Sequence, residues 1–123
     1  MILRICCLTM ILFSMPLKAV EVPKADWIEH LKSIIPTVFC SSEQYFRQCF
    51  DVTIEQCEEA MSSSARVCIA NLEDQIPEML VQPDDGTHWG NVIGQCIGAS
   101  YDQVHKDQRS RDPSCVDPTN WQK

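Results

Sequence analysis

The chain has 123 residues, with ten Lys+Arg against seventeen Asp+Glu and a net charge of −7 at pH 7. That length suits one domain of about 100–150 residues, and 45% apolar with 22% charged residues excludes a disordered or fibrous chain. The acidic balance argues against nucleic acid and anionic lipid as partners, since both need a basic face.

Residues 1–19 read as a secretory signal peptide. Arg4 supplies a short basic start, Ile5 to Met15 an apolar run, and Ala19 a small residue before the expected cleavage point. The run falls short of the roughly 20 apolar residues a bilayer span needs, so no transmembrane segment is expected in the mature chain. Cleavage would remove Arg4, Lys18, Cys6 and Cys7. It would leave a single domain over 20–123 with eight basic and seventeen acidic residues, a net charge of −9. Six cysteines remain: Cys40, Cys49, Cys57, Cys68, Cys96 and Cys115. An even count in an exported chain reads as a disulfide framework, and as a periplasmic or extracellular location. Close pairs such as C-x2-C are missing, which argues against zinc and against thioredoxin-type redox chemistry.

A first helix is expected over Lys24–Ile35, with Trp27, Ile28, Leu31, Ile34 and Ile35 on one face and Pro36 as its stop. A short helix over Ser42–Phe50 follows, with Ser41 and Gln44 at capping-box spacing. Thr53 and Gln56 repeat that spacing and open the clearest helix, Ile54–Ile76, whose stripe is Ile54, Cys57, Met61, Ala65, Cys68, Leu72 and Ile76. Pro77 ends it. Pro83-Asp84-Asp85-Gly86 reads as a turn, with Thr87 capping a last helix over His88–His105. From Lys106 onward two Asp-Pro steps and few apolar residues suggest an irregular tail held by Cys115. No strand alternation is visible. The expectation is therefore all-α: a small disulfide-stapled bundle of three or four helices, with a central α-hairpin and an irregular C-terminal tail.

Cys57 and Cys68 share one helix face but lie roughly 16 Å apart at 1.5 Å per residue, beyond the roughly 7 Å limit of a disulfide. Each must reach another element. If the short helix folds back on the long one, a constant index sum favours Cys49–Cys57 with Cys40–Cys68, and Cys96–Cys115 follows by elimination. The chief rival joins Cys57 or Cys68 to Cys96. The Cys40-x8-Cys49 and Cys57-x10-Cys68 run resembles the twin-cysteine α-hairpin of mitochondrial intermembrane-space proteins in geometry, and no function is taken from that.

Gly90, Gly94 and Gly98 fall four apart in the last helix, where each costs about 1 kcal/mol relative to Ala. They would form a smooth ridge. One reading packs it on the long helix near Ser62–Ala65; the other makes it a groove for a partner or a second copy of the chain. Further partner-contact candidates are Glu55, Glu58 and Glu59, an acidic cluster suited to a basic protein, and His88-Trp89. No nucleotide loop, nucleophile elbow or calcium loop occurs, and His30, His88 and His105 are scattered. No catalytic residue, metal or cofactor is expected. The sequence points to an exported, non-catalytic protein acting by protein–protein contact, as a periplasmic accessory or immunity-type inhibitor. The alternatives are a carrier of small apolar ligands and, third, a small hydrolase.

Overall fold

The computed structural model describes residues 18–121, so the expected signal peptide lies almost wholly outside the described residues. The described chain opens with strand β1 (Val20–Pro23), which leads directly into helix α1 (Lys24–Phe39). A short helix α2 (Tyr45–Gln48) follows, then α3 (Ile54–Leu72). A 3-10 turn over Glu73–Gln75 precedes strand β2 (Met79–Gln82), and α4 runs over Asp84–Val104. The tail carries 3-10 turns at Lys106–Gln108 and Pro118–Trp121 and a one-turn helix α5 (Pro113–Val116).

Helix α3 is the centre, packed by α1 on one side and by α4 on the other. Its start is fixed as the sequence predicts. The Gln56 N–H donates to Thr53 Oγ1 at 3.1 Å, and the Thr53 N–H donates to Gln56 Oε1 at 2.9 Å. Cys57, Met61, Ala65, Cys68 and Ile69 bury its inner stripe. The core is completed by Ile28 and Ile35 from α1, Tyr45, Cys49 and Phe50 around α2, and Ile93, Ile97 and Tyr101 from α4. The domain is mostly helical and compact, as expected, but several elements differ.

Pro36 does not stop α1, which runs on to Phe39. Proline lacks an N–H and strains the preceding turn, yet Ile35 is buried and the Cys40 N–H closes the last turn on Pro36 O at 3.0 Å. Ile34, expected on the core face, is exposed. The short helix is one turn, because Ser41–Gln44 forms a turn of its own rather than a capping box. Pro83-Asp84-Asp85-Gly86 is not a free turn but the start of α4. Pro83 occupies the N-cap, and Asp84 and Asp85 sit where the helix dipole favours anions. The Val81 N–H donates to Asp85 Oδ2 at 2.7 Å and ties the strand to the helix. Thr87 lies inside α4 and caps nothing.

The strands were not foreseen. β1 and β2 pair antiparallel with Val22 opposite Leu80, and Leu80 is fully buried. Four residues each, one ending in proline, give no period to read. Lys24 anchors the corner: its N–H donates to Glu78 O at 2.9 Å and its ammonium meets Glu78 Oε1 at 2.6 Å.

The disulfides correct the expected pairing. They are Cys40–Cys57, Cys49–Cys115 and Cys68–Cys96. The hairpin of a short helix on α3 is not the central unit. Because α1 continues past Pro36, Cys40 stands at its end against the first turn of α3. Cys68 is then free for α4, which is the rival arrangement, and Cys49 takes the tail.

Candidate functional site

An open groove of about 660 Å³ runs beside α4. Along one side lie Gly90, Gly94, Gly98 and Ala99, with Asn91, Gln95 and Asp102. Phe39, Gln44, Tyr45 and Phe46, from the end of α1 and from α2, make the opposite side, and Pro118 and Trp121 close it from the tail. The aromatic rings brace one another edge to face: Phe39–Phe46 at 5.6 Å, Tyr45–Phe46 at 5.3 Å and Phe46–Tyr101 at 4.9 Å between centroids. Trp121 lies 6.2 Å from Tyr45 and its indole N–H donates to Ser114 O at 2.9 Å. The tail carrying it is held by Cys49–Cys115 and by the Ser110 N–H, which donates to Cys49 O at 2.7 Å.

The glycines do not pack on α3. That face of α4 is formed by Ile93, Cys96, Ile97 and Ser100, with Cys96 bonded to Cys68 and the Ser64 hydroxyl 3.0 Å from Ser100. The small residues near Ser62–Ala65 thus meet Ser100 rather than the glycine ridge. Nor does packing require the ridge. A Cβ on Gly90 would meet nothing within 4 Å; one on Gly94 would lie 3.7 Å from Phe39 Cζ, and one on Gly98 3.4 Å from Phe46 Cζ. Three helix-interior glycines are kept where alanine would fit.

The groove holds one carboxylate that is already satisfied. Arg109 Nη1 donates to both carboxylate oxygens of Asp102 at 3.0 Å, and the Tyr45 hydroxyl donates to Asp102 Oδ1 at 3.3 Å. Burial, then the Asp102 charge, raises the Tyr45 phenol above its ordinary pKa. Glu43 and Asp117, next in sequence to the groove residues Gln44 and Pro118, make no ion pair among the described residues. Local hydrogen bonds from Ser42 and from Thr119, respectively, hold both carboxyls below the usual range, so both are charged at neutral and mildly acidic pH.

The other contact candidates lie elsewhere. Glu55 and Glu59 are exposed on the first turns of α3 and Glu58 is half-buried. His88 is exposed, and Trp89 packs half-buried against the core with His88 at 5.0 Å. Glu59 borders a smaller cleft of about 400 Å³ between α3 and α4, with Ser64, Ser100 and His105. Neither serine bonds a histidine among the described residues, and His105 leans on Tyr101 at 4.8 Å with Nε2 unpartnered. Sequence reasoning missed Phe39, Tyr45, Phe46 and Trp121. The adjacent Tyr45-Phe46 pair shows in the sequence only as apolar helix residues, and Trp121 sits in an aperiodic tail.

These features define a class: a small, disulfide-stapled helical protein of an oxidising, extracytoplasmic compartment. Among the described residues, no helix is long and apolar enough to cross a membrane. Residues 21–109 match the family described as T2SS substrate NttA, and the chain belongs to that family. Its members are substrates of a type II secretion system, so the protein is exported. Comparison with curated proteins and with solved structures finds no match.

Proposed function

We propose that this exported protein is a non-catalytic binding protein whose working surface is the groove beside α4. The observation that carries the reading is the glycine ridge. Each glycine costs the helix about 1 kcal/mol relative to alanine, and no contact inside the chain offsets that cost, since alanine fits at every position. A partner approaching α4 closely would. The half-buried aromatic side supplies the apolar contact that dominates binding energy in protein interfaces, and Asn91, Gln95 and Gln44 supply exposed hydrogen-bonding groups. Secretion favours action outside the cell over a periplasmic accessory role.

Gly90→Leu is the test, because the site above Gly90 is open and the variant should fold. Protein partners retained by the wild type from its native surroundings should be lost by Gly90→Leu. Equal retention by both would overturn the assignment. The second reading, a carrier of small apolar ligands, draws on the groove's size, which falls within the roughly 300–1,000 Å³ of small-molecule sites. Native mass spectrometry of secreted protein separates the two: a co-purified lipid that Gly90→Leu excludes favours the carrier.

A further inference from the structure

The tail, residues 106–121, closes one end of the groove and is held there by few contacts. Its Pro118 and Trp121 line the groove. Trp121 lies against Tyr45, which is only 5% exposed. At the near end of the tail the Asp51 N–H donates to Gln108 O at 3.0 Å, the Ser110 N–H donates to Cys49 O at 2.7 Å, and Arg109 pairs with Asp102 near the surface. Beyond Ser110 the hydrogen bonds stay within the tail: Asp112 with Ser114, Asp117 with Thr119, and Trp121 with Ser114. Cys115 is the one buried residue of the segment, and its bridge to Cys49 is the covalent tie to the helices.

The three bridges therefore sit in different frames. A reduced bridge closes again according to how near the fold holds its two thiols, which is an effective concentration. Packing of α3 on α1 and on α4 keeps Cys40 beside Cys57 and Cys68 beside Cys96 even when their sulfurs are not joined. Cys115 has no such packing behind it. Once its bridge opens, the tail frays at little cost, and its thiol leaves Cys49.

We infer that the tail is a thiol-releasable strap: an external dithiol opens Cys49–Cys115 before the other two bridges, and the strap then leaves Tyr45 and widens the groove while the helices stay packed. One thiolate of the dithiol attacks a bridge sulfur and expels the other, which takes up a proton. The second thiol of the dithiol then attacks the mixed disulfide, closes a ring disulfide and frees the second cysteine. Two electrons and two protons pass to Cys49 and Cys115, and the dithiol leaves oxidised. As regulation of the groove this rests on the binding reading above; the order of opening does not.

Oxidised mature protein is equilibrated with mixtures of reduced and oxidised dithiothreitol, trapped with iodoacetamide and mass-mapped. Cys49 and Cys115 should be half-labelled at about a ten-fold lower reduced-to-oxidised ratio than any other pair. Helical circular dichroism should be kept at that point, and tryptophan emission should shift to the red in the wild type but not in Trp121→Phe. With Cys49 and Cys115 both replaced by Ser, tetranitromethane should nitrate Tyr45 about ten-fold faster than in the wild type and leave the buried Tyr101 unmodified. Bridges that open together, an earlier opening of Cys40–Cys57 or Cys68–Cys96, or Tyr45 nitrated at the wild-type rate in the double variant would each overturn the inference. If the strap fails while oxidised Gly90→Leu still loses a native partner, this inference falls and the binding reading stands. If the strap opens as expected and Gly90→Leu loses nothing, the order of opening stands and the binding reading falls.

Discussion

Gly90 stands in the interior of α4 with open space where a Cβ would be. Gly90→Ala should therefore stabilise the fold, by about 0.5–1 kcal/mol, and raise the melting point by several degrees. Gly98→Ala should gain less, because the added methyl would sit 3.4 Å from Phe46 Cζ, at the near edge of ordinary contact, rather than in open space. A melting point lowered by Gly90→Ala would mean that α4 is not helical there, and the groove would have to be redrawn. Tyr101 offers a second check. It is fully buried, its hydroxyl donates to Phe46 O at 3.2 Å, and burial pushes its phenol up to about 12 against a weaker opposing effect of Arg47. The folded pKa exceeds the ordinary value of 10.0, so the stability tied to the neutral phenol is whole below pH 10 and drains as pH rises towards 12. The urea midpoint should fall over that interval, and Tyr101→Phe should flatten the fall while Tyr45, shifted in the same direction, leaves some slope. An unchanged alkaline slope in Tyr101→Phe would assign the loss to other groups.

Thr53 shows what a sequence states by itself. Its capping box with Gln56 is a four-residue matter, so the start of α3 was legible, and Thr53→Ala should cost about 1 kcal/mol in a denaturation midpoint. The stripe of Cys57, Met61, Ala65 and Cys68 was legible for the same reason: one helix carries its own period. What failed depended on other elements. Pro36 is a local stop signal overruled by the burial of Ile35 and by the Cys40–Cys57 bridge, and once α1 is longer every sulfur pairing shifts. β1 exists only against β2, nearly sixty residues away in the chain, and the aromatic side of the groove joins α1, α2 and the tail. The bridges themselves differ in a way loop length would misjudge. Cys49–Cys115 closes 66 residues against 28 for Cys68–Cys96, which on chain entropy alone is about 4.4 against about 3.6 kcal/mol. Yet from Lys106 to Trp121 Cys115 is the one buried residue, so cutting its bridge frees the tail without opening α1, α3 and α4. Replacing Cys49 and Cys115 by Ser should lower the global melting point less than replacing Cys68 and Cys96, while proteolysis near Ser110–Ser114 becomes fast. Equal losses from both double variants would show the tail to be part of the cooperative core.

Among residues 18–121 seventeen acidic residues face eight basic ones, with two ion pairs to offset them. Such a surplus loosens a compact chain by self-repulsion, and partly exposed pairs such as Arg109–Asp102 return little, about 1 kcal/mol at most. Repulsion among many charges outweighs two pairs, so stability at pH 7 should rise as sodium chloride goes from about 10 mM to 300 mM and the screening length drops from roughly 30 Å to less than 8 Å. Glu43, Asp112 and Asp117 carry the opposite sensitivity to acid. Their carboxyls are held low by hydrogen bonds, chiefly from Ser42, Ser114 and Thr119. Their contribution is present above the ordinary carboxylate values and is lost as pH falls through the lowered ones, so acid destabilisation should set in below about pH 4. Thermal melts across one salt series read the sign of the salt effect, and a melting point that falls as salt rises would show that the two ion pairs outweigh the repulsion.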